Sequence, residues 1–167
     1  MQEQPKTHEQ DADLNEILQI RRDKLTELRE NGRDPFCEVK YDKTNNAAQI
    51  IASFETMEGA TVSIAGRLMS KRGMGKVMFC DLSDVSGKIQ LFVKKDLLGD
   101  HYDDFKKLDI GDIVGVKGEV FKTKTEEISV KVTEYTLLSK SLLPLPEKFH
   151  GLTDPDLRYR QRYVDLI

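Results

Sequence analysis

The sequence predicts a mainly β fold with flanking helices: a five-stranded Greek-key barrel preceded by an N-terminal helical extension. Three observations predict it. From Ala60 onward the recurrence of apolar residues changes from a helical period to a period of two. That alternation then runs through five segments, near 61–71, 76–84, 88–95, 112–124 and 127–138. Between the third and fourth lies Asp96 to Leu108, where Leu97, Leu98, Tyr102 and Phe105 suit one short amphipathic helix despite Gly99. Three strands, a helix and two more strands is the order of an OB-fold, whose second and third strands bind oligonucleotides together with the adjacent loops.

The elements before the barrel are helical. Asp13, followed three residues later by Glu16, reads as an N-cap with its capping-box partner, and Leu14, Ile17, Leu18, Leu25 and Leu28 fall on one stripe. Asn31 and Gly32 close this helix and Pro35 prevents a restart. Its polar face mixes Arg21, Arg22, Lys24 and Arg29 with acids, which reads as a solvated face first and an RNA contact second. A second helix follows Thr44, with Ala47, Ile50, Ile51 and Phe54 at helical steps. The chain thus divides into a helical extension over 1–59, a barrel over 60–140 and a further segment over 141–167. In that last segment LLPLPEKFHG reads as an extended linker, and Asp154 with Pro155 as the start of a helix cut at Ile167.

Composition narrows the function. The 167 residues are 33% charged and 38% hydrophobic, without Trp, and no apolar run approaches a membrane helix. With no apolar leader at Met1 to Asp13 the expected location is the cytoplasm. Cys37 and Cys80 form no CxxC pair and the three histidines are scattered, so a zinc site and a disulfide framework are not indicated. The net charge of −3 is unevenly distributed: residues 1–60 hold 8 Lys+Arg against 13 Asp+Glu, whereas 61–140 hold 14 against 12. Whether the barrel has a basic face therefore depends on where its side chains point.

Alternation supplies the directions. Met78, Cys80 and Leu82 form the core set of the second strand, leaving Val77, Phe79 and Asp81 outside. Ile89, Leu91 and Val93 face inward in the third, leaving Lys88, Gln90, Phe92 and Lys94 out. In the fifth, Ile128, Val130 and Val132 face in, and Glu127, Ser129 and Lys131 out. Two phenylalanines, an amide and lysines on one face suit stacking of unpaired bases above a cationic surface. The alternatives are that a phenylalanine packs beneath a loop, or that a bulge shifts the parity. The turn Lys71-Arg72-Gly73-Met74-Gly75-Lys76 lacks the spacing of a phosphate loop, so Gly73 and Gly75 read as hairpin residues. Arg72 and Lys76 remain candidates for nucleic-acid contact, and Lys71, Lys88 and Lys94 for RNA backbone contact.

From RRDKLTELRENGRDPF through VSIAGRLMSKRGMGKVMF, GKIQLFVKKD and GDIVGVKGEVFKTKTEEIS to LPLPEKFHGLTDPDLRYRQRYVDLI, the chain resembles the bacterial lysyl-tRNA synthetases. The resemblance implies an anticodon-binding region of a class II ligase, with RYRQRYVDLI leading toward a catalytic domain that lies beyond Ile167. It implies lysine tRNA as partner, a homodimeric parent using ATP and Mg2+, no cofactor in this chain, and neither membrane nor DNA binding. By position, Phe79 matches an aromatic that stacks on an anticodon base and Gln90 a glutamine that hydrogen-bonds a base. Arg72 and Glu127 match an arginine and a glutamate that together read the central uridine. Glu126 stands where the resemblance expects a glycine, so either glutamate can serve as that reader. Two other readings stay open: the same region of an aspartyl- or asparaginyl-type synthetase, and a free-standing OB-fold that binds single strands.

Overall fold

The computed structural model describes residues 8–145, 159, 160 and 162. Helix α1 spans His8–Glu30. It starts five residues before the expected cap, so Asp13 lies inside the helix. Its C-terminal end is as expected: Gly32 takes φ +68°, and the amides of Gly32 and Arg33 return to the carbonyls of Arg29 and Leu28 at 3.0 and 2.8 Å. The apolar stripe is only half used. Leu25 is buried, while Leu14 and Ile17 are exposed. The contacts that hold α1 come from its second half, where Arg21 donates to the carbonyls of Ile110, Ser141 and Leu143.

A 3-10 turn, Pro35–Cys37, leads to α2 (Ala47–Ala52) and α3 (Phe54–Met57). Asn46 and Gln49 form a reciprocal capping box at the start of α2, and Ile50 is fully buried against the barrel. The strands are β1 (Thr61–Met74), β2 (Val77–Asp84), β3 (Gly87–Lys94), β4 (Ile113–Lys122) and β5 (Ile128–Ser139). They close as β1-β2-β3-β5-β4, antiparallel throughout except for the parallel pair β3·β5. This is the OB-fold order. Inside lie Val62, Ile64, Leu68, Leu82, Leu91, Val93, Val116, Val130 and Val132, each at most 2% exposed.

Two turns and one helix differ in detail from expectation. Gly73 is part of β1, paired with Met78, so only Gly75 (φ +63°) and Lys76 form the turn into β2. The helix expected over 96–108 is two, α4 (Lys95–Leu98) and α5 (His101–Lys107), because Gly99 at φ +58° ends the first. Phe105 and Tyr102 from α5 are buried in the core, and Phe105 meets Tyr135 edge-on with centroids 4.9 Å apart. Residues 141–145 have no regular structure. The helix expected from Asp154, and the linker from residue 146 on, lie outside the described residues apart from Tyr159, Arg160 and Arg162.

A second feature fixes the barrel's orientation toward α1. Lys140, 1% exposed at its side chain, donates to Asp112 at 2.8 and 3.1 Å and to Asp109. Asp112 also accepts the amides of Asp109 and Ser141, and Asp109 accepts Lys24 from α1 at 2.7 Å. Burial alone would raise the pKa of Asp109, but Lys140 and Lys24 outweigh it and hold the carboxyl below the usual range. Each charged side chain of this junction has at least two partners.

Candidate nucleic-acid interface

The outer face of the barrel is built row by row. Residues opposite one another across a ladder point to the same side, so the register defines lines of neighbours. One row runs Ser70, Asp81, Gln90, Ser129, Phe121 across β1, β2, β3, β5 and β4. The next runs Arg72, Phe79, Phe92, Lys131, Glu119. The parity expected for β2 and β3 holds: Met78, Cys80, Leu82, Ile89, Leu91 and Val93 are buried, and Phe79, Gln90 and Phe92 face out.

Arg72 reaches this face only because β1 is bulged. Leu68 pairs with Leu82 and points inward, yet two residues later Ser70 pairs with Asp81 on the outside, the register shifting at Met69. Without that extra residue the inward set of Val62, Ile64 and Leu68 would continue to Arg72. The same shift turns Lys71 away. Its ammonium donates to the carbonyls of Lys106 (2.8 Å) and Leu108, and burial lowers its pKa. Lys71 therefore ties β1 to α5 and does not join the interface, contrary to expectation.

The aromatic part is larger than the sequence reading held. Phe79 and Phe92 lie 5.3 Å apart between centroids, tilted by 58°, and Phe92 meets Phe121 edge-on at 5.5 Å. Lys131 stands over the Phe121 ring at 5.3 Å and pairs with Glu119 at 3.3 Å. Phe121 was missed although the same parity rule finds it: Val114, Val116 and Val120 are the inward set of β4. All three rings are half-buried, each leaving part of its surface to solvent.

Polar groups flank the rings. The Ser129 hydroxyl donates to Gln90 Oε1 at 2.9 Å, and Ser129 is fully buried although its parity is outward, since Gln90 and Phe121 stand on either side of it. Arg72 donates to Asp81 at 3.4 Å and is 63% exposed. Lys94 is paired with Asp96 at 2.8 Å, whereas Lys76 and Lys88 are exposed and have no ion-pair partner among the described residues.

Glu127 is exposed at the end of the β4–β5 turn, its amide bonded to the Thr123 hydroxyl at 3.0 Å. Glu126 before it takes φ +63°, the left-handed conformation that favours glycine, which gives a physical reason for the glycine expected there. Arg72 stands in the Phe79 row on β1, and Glu127 lies two residues before Ser129 of the Gln90 row, just ahead of β5.

The donor set here suits bases. Among the described residues no group of three or more His, Cys, Asp or Glu could hold a metal ion, and no helix is long and apolar enough to cross a membrane. Cys80 is a core residue whose thiol burial pushes up to about 12, far from a nucleophile's range.

Residues 62–138 match the family described as OB-fold nucleic acid binding domain. Over 161 residues, 96% of this chain, it is 56% identical to a lysine-tRNA ligase of Clostridium perfringens. It is 56% identical over 156 residues to one from a Thermoanaerobacter species, and 53% identical over 156 to one from Carboxydothermus hydrogenoformans. The chain spans about a third of the length of these relatives, 31–32%. Over nearly all its residues the chain is similar to the bacterial lysine-tRNA ligases.

Proposed function

We propose that this chain, a relative of the lysine-tRNA ligases, is the part that reads the anticodon of lysine tRNA on the outer face of its barrel. The observation that carries the proposal is the grouping of Arg72, Phe79 and Gln90 around one aromatic platform, with Phe92 and Phe121 extending it. A uridine in a single strand offers a π-face, two carbonyl acceptors and one imino donor. Phe79 supplies the stacking surface, and the N–H groups of Arg72 and the Gln90 amide supply donors to carbonyls. With Oε1 of Gln90 accepting from Ser129, its amino group is left to donate outward. A cytidine would bring its own amino group against these donors.

Glu127 supplies the acceptor that, with Arg72, reads the central uridine. Its carboxylate accepts from an imino N–H, and a cytidine there would oppose it with a lone pair. Lys76 and Lys88, with Lys124 in the β4–β5 turn, are exposed lysines without an ion-pair partner among the described residues and can meet phosphates. Each phosphate contact that such a lysine makes adds about −0.7 to the salt slope for a single strand.

In the longer protein the proposal includes ATP-dependent ligation of lysine to its tRNA, with magnesium, in a cytoplasmic homodimer. The described residues hold no donor set fitting those groups, so no step of that reaction is assigned to them. The test is a salt-controlled titration with anticodon stem-loops carrying UUU and UCU. Tighter binding of UUU by about tenfold or more, the scale of one missed polar pair, supports the reading. Equal affinity would refute it.

A further inference from the structure

We infer that Asp81 is a positioning residue that sets specificity: by holding Arg72 it turns a general cation into a reader of one base. The inference rests on the anticodon reading above. A carboxylate in the middle of a surface for a polyanion costs affinity, because it repels each approaching phosphate. Asp81 nonetheless stands in the Gln90 row of the face, directly across the ladder from Gln90 and two residues from Phe79 along β2. Its side chain is 33% exposed.

Both of its oxygens are engaged. The Ser70 hydroxyl donates to Oδ2 in a close contact, and an Arg72 guanidinium N–H donates to Oδ1 at 3.4 Å. The bulge at Met69 makes this triad, since it alone puts Ser70 and Arg72 on the side of Asp81. Ser70 fixes the carboxylate and the carboxylate tethers one edge of the guanidinium. The remaining N–H groups keep a set direction toward a base stacked on Phe79.

Two consequences follow. Held in place, Arg72 gives up less rotational freedom when it meets a matching pair of acceptors, so the right base gains. Neutralised by Asp81, it gains little from phosphate, so a wrong loop is not retained by charge alone. Asp81 thus exchanges affinity for any RNA for discrimination at one position.

The experiment uses the full chain, wild type and Asp81→Asn, titrated with UUU and UCU stem-loops across a potassium chloride series. The isosteric amide should bind the UCU loop more tightly and discriminate less by about two- to fivefold, the scale of an exposed ion pair. Its salt slope should steepen by about 0.7, the single-strand increment for one freed cation. Ser70→Ala should move both readouts in the same direction by less. In an Arg72→Ala background Asp81→Asn should change neither, whereas a purely structural Asp81 would act the same in both backgrounds. Unchanged discrimination and slope in Asp81→Asn, or an equal change without Arg72, overturns the inference while the wild type still prefers UUU. A wild type without preference overturns the anticodon reading and this inference with it.

Discussion

The α1–barrel junction and the outer face of β1–β2–β3–β5–β4 use the same residue types to opposite ends. At the junction, Lys140, Asp112, Asp109, Lys24 and Arg21 bind one another or backbone groups, each with two or more partners, and Lys140 and Asp112 are sealed from water. On the face, Arg72–Asp81 and Lys131–Glu119 are single ion pairs at 3.3–3.4 Å with partly exposed side chains, and Lys76 and Lys88 have no ion-pair partner among the described residues. The difference teaches how to tell a charge that builds from one that binds. A buried ion pair is strongly needed by its partner, since losing either leaves an uncompensated charge. An exposed pair contributes little to folding and can exchange its partner for a ligand.

The comparison breaks first, and hardest, at Asp112. Asp112→Ala leaves the buried Lys140 with Asp109 alone and strands two backbone amides, and should destabilise the chain by about 3–5 kcal/mol in urea unfolding. A loss under about 1 kcal/mol would mean that the junction is no more structural than the face. On the face, Phe79→Ala should cost about 1–3 kcal/mol of stem-loop binding, measured by titration, with the larger part of its effect in affinity rather than in unfolding.

Acid separates the regions by a different route. Asp84 accepts the amides of Ala47, Ser86 and Gly87 at 2.7–3.1 Å. Burial would raise its pKa, but the hydrogen bonds from Ser86, Ala47 and Gly87 outweigh burial and hold it below the ordinary value. Asp109 at the junction is depressed likewise. A depressed carboxyl contributes stability that is full above its unfolded pKa of about 3.9 and is lost as pH falls through the folded value. The urea midpoint should therefore fall between pH 5 and pH 3, and Asp84→Asn should flatten that fall. The smallest effect concerns the β4–β5 turn. Glu126→Gly removes the left-handed strain at φ +63° and should raise stability by about 0.5–1 kcal/mol, leaving Glu127 in place.

How much of this was legible in the sequence follows from the period of its strands. In β2 and β3 no bulge interrupts the period of two and burial alternates throughout, so the outward placement of Phe79, Gln90 and Phe92 by parity holds. Phe121 obeyed the same rule in β4 and could have been found with it. Arg72 and Lys71 could not be sorted, because the bulge at Met69 depends on how β1 fits two neighbours at once, β2 and β4, and leaves no mark in the local pattern. Helix α1 misled for a related reason. Leu14 and Ile17 fit its stripe, but a stripe states which residues can be buried together and not how much barrel there is to cover them. Ser129, outward by parity and fully buried, shows that a face crowded by Gln90 and Phe121 has an interior of its own.

The most direct test of the central claim, that bases are read on the outer face and not at the junction, is amide and side-chain NMR of the labelled chain titrated with a UUU stem-loop. The account predicts shifts concentrated at Arg72, Phe79, Asp81, Gln90, Phe92 and Phe121, with Arg21, Lys24, Asp109, Asp112 and Lys140 unmoved. Shifts centred instead on the cleft of about 660 Å³ between α1, α5 and β5, lined by Lys24, Arg33, His101 and Tyr135, would contradict it.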